Sequence, residues 1–279
     1  MHFAAAWLLL ATLSVNTEGS LDEGLARNVA GAARAVWVTR AFLGAPYRTS
    51  PLGDGALPDE RPRFRLDAFD CTTLVETAIA FGNARSTAEA RVLLDDVRYD
   101  GAASYAHRNH YLEAEWLPAN ARKGWIEEVT RRVDPAGARE VVLAYTTASW
   151  RAALRHGHLL PHLDPSDLPT GHFSFSIVPL ERVREVENAI PPGTLVAVVR
   201  TARPDRPYRI THLALTVKGP RGEALVRHAS TARMRVIDEP LERFLERAEG
   251  SHSWRVEGLS LWALRPNLAR VRALEAGGR

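Results

Sequence analysis

Phe69-Asp70-Cys71-Thr72-Thr73-Leu74-Val75-Glu76 holds the only cysteine of this 279-residue chain, and it places that thiol where a helix begins. Downstream, Leu74, Val75, Ala78, Ile79 and Phe81 recur with helical spacing, and the run closes at Gly82-Asn83, residues that commonly end helices. Asp70 is then the predicted N-cap and Cys71 the first helical residue. Unpaired amides and the positive end of the helix dipole favour an anion there, so they are expected to lower the thiol pKa toward the thiolate. A lone free cysteine is otherwise most often a small core hydrophobe. The rest of the chain has to decide between a nucleophile and a packing residue.

Upstream, Leu25, Val29, Ala33, Val36, Val38 and Phe42 predict a helix from Leu21 to Phe42, ending at Gly44-Ala45-Pro46-Tyr47. A loop rich in Pro, Gly and Arg, Arg48 to Arg65, leads to Asp67. After the cysteine helix, Ser86-Thr87-Ala88-Glu89 has the form of a capping box, so a second helix is expected to run to about Val97 and pack beside the first. The block from Tyr105 to Trp116 mixes aromatic, basic and amide groups with little periodicity, which suits either a binding surface or a well-anchored loop. Lys123 to Arg131 reads as a short helix, Glu140 to Tyr145 as a strand and Ser149 to Leu160 as a helix. His156-Gly157-His158, with His162 and Asp164, offers metal-type donors, but a solvated histidine cluster at a helix end is the commoner case. No second metal-type motif supports it, and no metal is expected.

The last third supplies partners for the thiol. Pro191-Pro192-Gly193 precedes Thr194 to Arg200, a buried strand, and a turn-rich link leads to a second strand from Arg209 to Val217. Lys218-Gly219-Pro220-Arg221-Gly222-Glu223 is a turn by composition, and Ala224 to Ser230 completes a hairpin. Pairing about that turn puts His212 opposite or nearly opposite His228. Side chains alternate, so His212 shares a face with Ala214 and Thr216, while Leu213, Leu215 and Val217 point the other way. A helix N-terminus received on the imidazole face would bring Cys71 to His212 as general base, with His228 orienting the first imidazole.

Composition limits the alternatives. The formal charge of +3 is almost wholly arginine, since Lys123 and Lys218 are the only lysines, and it is dispersed among acidic residues. A nucleic-acid partner would need a clustered basic face, so nucleic acid is discounted. With 46% hydrophobic residues the chain can build one large domain or two small ones. Residues 1–20 carry an apolar run, Phe3 to Val15, and a polar flank, and read as a signal peptide with a weak n-region. The expected location is periplasmic or secreted, with no stable membrane anchor in the mature form.

The order of helix, Gly44-Ala45-Pro46-Tyr47, Asp70-Cys71, Thr211-His212-Leu213 and Arg227-His228-Ala229-Ser230 resembles the NlpC-type papain-like cysteine peptidases of bacterial cell walls. More narrowly, the cysteine block, Arg108-Asn109-His110 with Glu113 and Trp116, Pro118-x-Asn120-x-x-Lys123-Gly124 and Leu264-Arg265-Pro266 resemble its N-acetylmuramoyl-L-alanine amidase-like branch. The resemblance covers roughly Leu21 to Asn267. It implies an α+β, papain-like fold, a helical part carrying Cys71 on an antiparallel sheet carrying His212 and His228, flanked by a signal peptide (1–20) and a C-terminal tail (268–279). It implies Cys71 as nucleophile, His212 as base, His228 as third member and no cofactor, acting on peptidoglycan or muropeptide fragments at the amide between muramic acid and L-alanine. Ala214 stands where the family often has glycine. Asn109, His110, Glu113 and Trp116 are candidate substrate contacts or, equally, loop anchors. A stem-peptide endopeptidase with the same triad and a muropeptide-binding module without turnover stay open.

Overall fold

The computed structural model describes residues 21–25, 30–52, 63–157, 163–164, 166–250 and 254–277. Helices α1 (Ala32–Arg40), α2 (Cys71–Asn83), α3 (Thr87–Arg98), α4 (Leu117–Arg122), α5 (Thr147–Arg155), α6 (Leu241–Gly250) and α7 (Leu268–Gly277) surround a sheet. Its strands are β1 (Ile126–Glu128), β2 (Arg139–Tyr145), β3 (Gly171–Pro179), β4 (Thr194–Arg200), β5 (Ile210–Lys218), β6 (Ala224–Ser230), β7 (Arg235–Pro240) and β8 (Val256–Leu264). They run in the order β2-β3-β8-β4-β5-β6-β7, with β1 beside β8 off that path, and every strand pair is antiparallel.

The uninterrupted apolar run of β4 has a cause: both faces of the sheet are covered there. Leu195, Ala197 and Val199 join Leu213 and Leu215 in a core with Leu74, Val75 and Ala78 of α2. Val196 and Val198 join Ala214 and Val226 in a second core with Leu241, Phe244 and Leu245 of α6. From Thr73 to Asn83 every residue of α2 is buried. Each large aliphatic or aromatic side chain there stabilises the fold by about 1.5–3 kcal/mol. α2 closes at Gly82-Asn83 as its sequence predicts, and Gly82 also serves close approach: a Cβ there would lie 3.2 Å from both Ala35 Cβ and the Gly31 carbonyl of the α1 side.

Several expectations change in the structure. Lys123 to Arg131 is not a helix: Gly124 takes φ 77°, a backbone that favours glycine and ends α4, and Ile126–Glu128 pairs with Trp262–Leu264 of β8. α5 starts at Thr147, where Thr146 and Ser149 cap each other, and ends before Gly157, at φ 66°. Gly31, at φ 105°, precedes α1, and residues 21–25 are also helical. The expected C-terminal tail contains α7, anchored by buried Val271 and by Arg270 Nη2 on Asp96 Oδ1 at 2.6 Å. The apolar run of residues 3–15 lies outside the described residues, as do His158 and His162. Among the described residues, no cluster of three or more His, Cys, Asp or Glu could hold a metal, and no helix is long and apolar enough to cross a membrane.

Candidate active site

Asp70 is extended, with φ −100°, and its Oδ1 accepts from the Thr73 amide and the Thr73 hydroxyl, both at 2.8 Å. The Asp70 amide donates back to Thr73 Oγ1 at 3.0 Å, a reciprocal cap that makes Cys71 the first residue of α2. The body of α2 packs on the Leu213/Leu215 face, not on the imidazole face; Phe244 of α6 covers the latter, with ring centroids 5.6 Å from His212 and 4.9 Å from His228. The greasy face received the helix because burying Leu74, Val75 and Ala78 requires an apolar partner.

Cys71 nevertheless lines the same cleft as the histidines, where the sheet parts. The β5–β6 ladder runs from Lys218↔Ala224 only to Leu215↔Arg227. Thr216 turns its carbonyl toward the β4 side, where it accepts from Gly193, so alternation turns the Leu213 N–H toward β6. With no β6 partner there, the Leu213 amide faces the Cys71 thiol and favours its ionised form. One residue away, Val198 pairs with His212 and Val199 with Ile210, so Thr211 is an extra, bulged residue beside His212.

The two imidazoles are joined: His212 Nε2 and His228 Nδ1 are 2.9 Å apart, and His228 Nε2 lies 2.8 Å from Glu239 Oε1. Arg247 holds the other oxygen of Glu239. Burial alone would push the Glu239 carboxyl up, but His228 and Arg247 hold it below the ordinary carboxylate value. An ionised Glu239 accepts, so with both rings neutral His228 carries its proton on Nε2, His212 donates from Nε2, and His212 Nδ1 keeps a free lone pair. Sequence analysis missed Glu239. Extending the hairpin by one more strand finds it, because His228 pairs with Ile237 and Glu239 shares that face.

The resting charge state differs from the expectation. Burial and the neighbouring Asp70 carboxylate push the Cys71 thiol up to about 11, against the opposing effects of the Leu213 amide and Thr72. Burial, His228 and Arg200 lower His212 to about 3. The helix-start amides are outweighed, and the pair rests as thiol and neutral imidazole.

Cys71, His212 and His228 line one cleft of about 780 Å³ with Tyr47, Arg200, Arg206, Tyr208, Phe244, Arg247 and Trp254. Three arginines line it and, among the described residues, no Asp or Glu does. The candidate substrate contacts lie elsewhere. Trp116 is fully buried and donates to Glu76 Oε1 at 3.2 Å; Asn109 is buried and donates from Nδ2 to the Arg98 carbonyl at 3.1 Å. Glu113 is buried under β5, accepting from the Arg209 and Ile210 amides, and His110 Nε2 lies 2.7 Å from the Tyr105 carbonyl. A π-helical turn, Leu112–Trp116, directs Glu113 and Trp116 inward, which gives these residues the geometry of loop anchors.

This is a mixed helix and antiparallel-sheet protein whose cleft is lined by a thiol and two joined imidazoles. Residues 37–251 match the model of the AmiA-like, N-acetylmuramoyl-L-alanine amidase-like family, and the chain belongs to that family. No curated protein sequence matches it. Among solved structures it is similar to a Legionella pneumophila protein of the DUF1460 family, with TM-score 0.74 and 21% identity over 92% of this chain and 97% of that one. It is also similar to an N-acetylmuramoyl-L-alanine amidase from Bacteroides uniformis, with TM-score 0.63 and 19% identity over 84% and 99% of the two chains. A Bacteroides fragilis protein provisionally described as a xylanase gives TM-score 0.64 and 18% identity over 82% and 100%. At these identities the likeness is one of fold.

Proposed function

We propose that this protein is an exported, NlpC-type cysteine amidase that cleaves the bond between muramic acid and L-alanine in peptidoglycan or its muropeptides. Family membership supports a cell-wall amidase at the coarse level. The observation that carries the finer reading is the relay from Glu239 through His228 to His212, which leaves an open nitrogen lone pair on His212, a residue that lines the same cleft as Cys71. Because thiol and imidazole rest neutral, the Cys71 proton passes to His212 Nδ1 as Sγ attacks the amide carbonyl. The Cys71 amide, at the helix start, and Tyr47, at the cleft wall, supply the donors for the oxyanion. His212 then protonates the leaving L-alanine nitrogen, the C–N bond breaks, and water attacks the thioester to release the muramic acid carboxylate and the thiol. Xylan hydrolysis by a carboxylate pair finds no support in a cleft lined by arginines.

Mass spectrometry of purified muropeptides, with and without the anhydro sugar, tests this. The protein is expected to release free peptide beginning at L-alanine, and Cys71→Ala to release none while remaining folded. Cleavage inside the peptide would replace the bond assignment, and release by the alanine variant would remove the thiol from the mechanism.

A further inference from the structure

Arg200 differs from the other two arginines of the cleft. Arg247 is paired with Glu239, and Arg206 stacks on Trp254, 4.9 Å from the ring centroid, with Asp205 3.6 Å away. Arg200 is only 4% exposed and is in no ion pair among the described residues. Its side chain is fixed by acceptors: Nε donates to Thr211 Oγ1 at 3.0 Å, and Nη1 to the carbonyls of Ala248, at 2.9 Å, and Trp254. Nη2 bonds to nothing among the described residues, yet it is not one of the buried unpartnered atoms, and the residue lines the cleft. A buried guanidinium with no carboxylate in ion-pair contact is costly, Glu249 offsetting that cost only through space, and the rest is relieved when an anion binds. Thr211, which Arg200 holds, is the bulged residue next to His212, so an anion on Nη2 would lie beside the proposed base.

We propose that Arg200 Nη2 seats a substrate carboxylate, so that the cleft selects amides whose leaving peptide carries a free carboxylate near the scissile bond. In a stem peptide that group is the α-carboxylate of the γ-linked D-glutamate, and the excluded form is its carboxamide. The carboxylate takes a charge-assisted hydrogen bond from a donor already aimed and desolvated. It also offsets the positive charge that helps to hold His212 neutral, and so returns basicity to the base when substrate arrives. The choice of probe rests on the amidase reading; the anion seat does not.

Two probes that differ only at that group, muramyl-L-alanyl-D-glutamate and muramyl-L-alanyl-D-isoglutamine, test the seat. Calorimetry on the Cys71→Ala protein is expected to show the acid binding about tenfold to a hundredfold more tightly than the amide, with the preference shrinking as salt is added. Arg200→Gln should bring the acid down to the level of the amide. Arg200→Lys, which keeps the charge but loses the fork, should retain part of the preference, and thermal melting shows which variants are folded. Equal binding of the two probes, binding of neither, or a preference that survives in folded Arg200→Gln overturns the proposal. Turnover is measured separately with the thiol intact: discrimination without hydrolysis sinks the amidase reading and leaves the anion seat standing.

Discussion

Two polar clusters, one against α2 and one across the sheet from its body, are built from the same kinds of residue, and they differ in one respect. Behind the helix, Glu76 Oε2 accepts from Arg98 Nε at 2.8 Å and Oε1 from Trp116 at 3.2 Å, while Arg98 Nη1 donates to the Arg63 carbonyl at 2.6 Å and its own carbonyl holds Asn109. That knot closes on itself. In front, the chain Arg247, Glu239, His228, His212 is anchored at one end by the Arg247–Glu239 ion pair and stops at the cleft on the other, leaving His212 Nδ1 without a partner in that chain. On the proposed reading, burial and polarity do not separate scaffold from chemistry in this molecule; an unfilled valence facing a cleft does.

The largest effect tests the open end. A thiol held near 11 should be alkylated by iodoacetamide at a rate that climbs about tenfold per pH unit from about pH 7 to about pH 10, because the thiolate fraction grows by that factor below the pKa. A plateau already reached below neutrality would mean that the cleft, like the knot, satisfies itself with a resting ion pair. The same two groups bound the stability optimum. Between about 3 and 6.5 the unfolded chain takes up a His212 proton that the native state refuses, so stability falls as pH drops through that window. Between 9.0 and about 11 the native state keeps a thiol proton that the unfolded chain has lost, so stability falls again as pH rises.

Breaking the closed cluster should register in stability. Arg98→Ala leaves the Glu76 carboxyl buried without its partner and is expected to destabilise by about 3–5 kcal/mol in chemical denaturation, with kcat and KM of the folded fraction unchanged. The double variant with Glu76→Leu should recover much of that loss, since no orphan charge remains. Glu239→Gln should do the reverse. It is expected to lower kcat by about tenfold to a hundredfold, because the His228 tautomer is no longer fixed by a carboxylate, while the melting temperature moves little.

How far the sequence was legible follows the range of each interaction. The Asp70-Cys71 cap is set within four residues, and the β5–β6 hairpin is set by alternation and a turn, so both could be read locally. The strand break at Leu213 and the packing of α6 over the imidazoles depend on distant partners, and so the side of the sheet that receives the body of α2 cannot be read locally. The thiol pKa failed for the same reason: the dipole of α2 is local, whereas the burial that outweighs it comes from the whole fold. Residues Tyr105 to Trp116 resisted reading because a π-helical turn has no periodicity to announce which side chains face inward.

Trp116 gives the smallest effect and the sharpest division between the two clusters. In sequence it is a candidate substrate contact or, equally, a loop anchor; it is fully buried, and its one polar atom points at Glu76 instead of the cleft. Trp116→Phe keeps the apolar volume and removes that donor, so the expected cost is about 1–2 kcal/mol of stability with KM for muropeptide unchanged. Equilibrium unfolding and steady-state kinetics on the same preparation separate the two. A raised KM at unchanged stability would extend the cleft to the far side of α2, and the knot would have to be counted as part of the site.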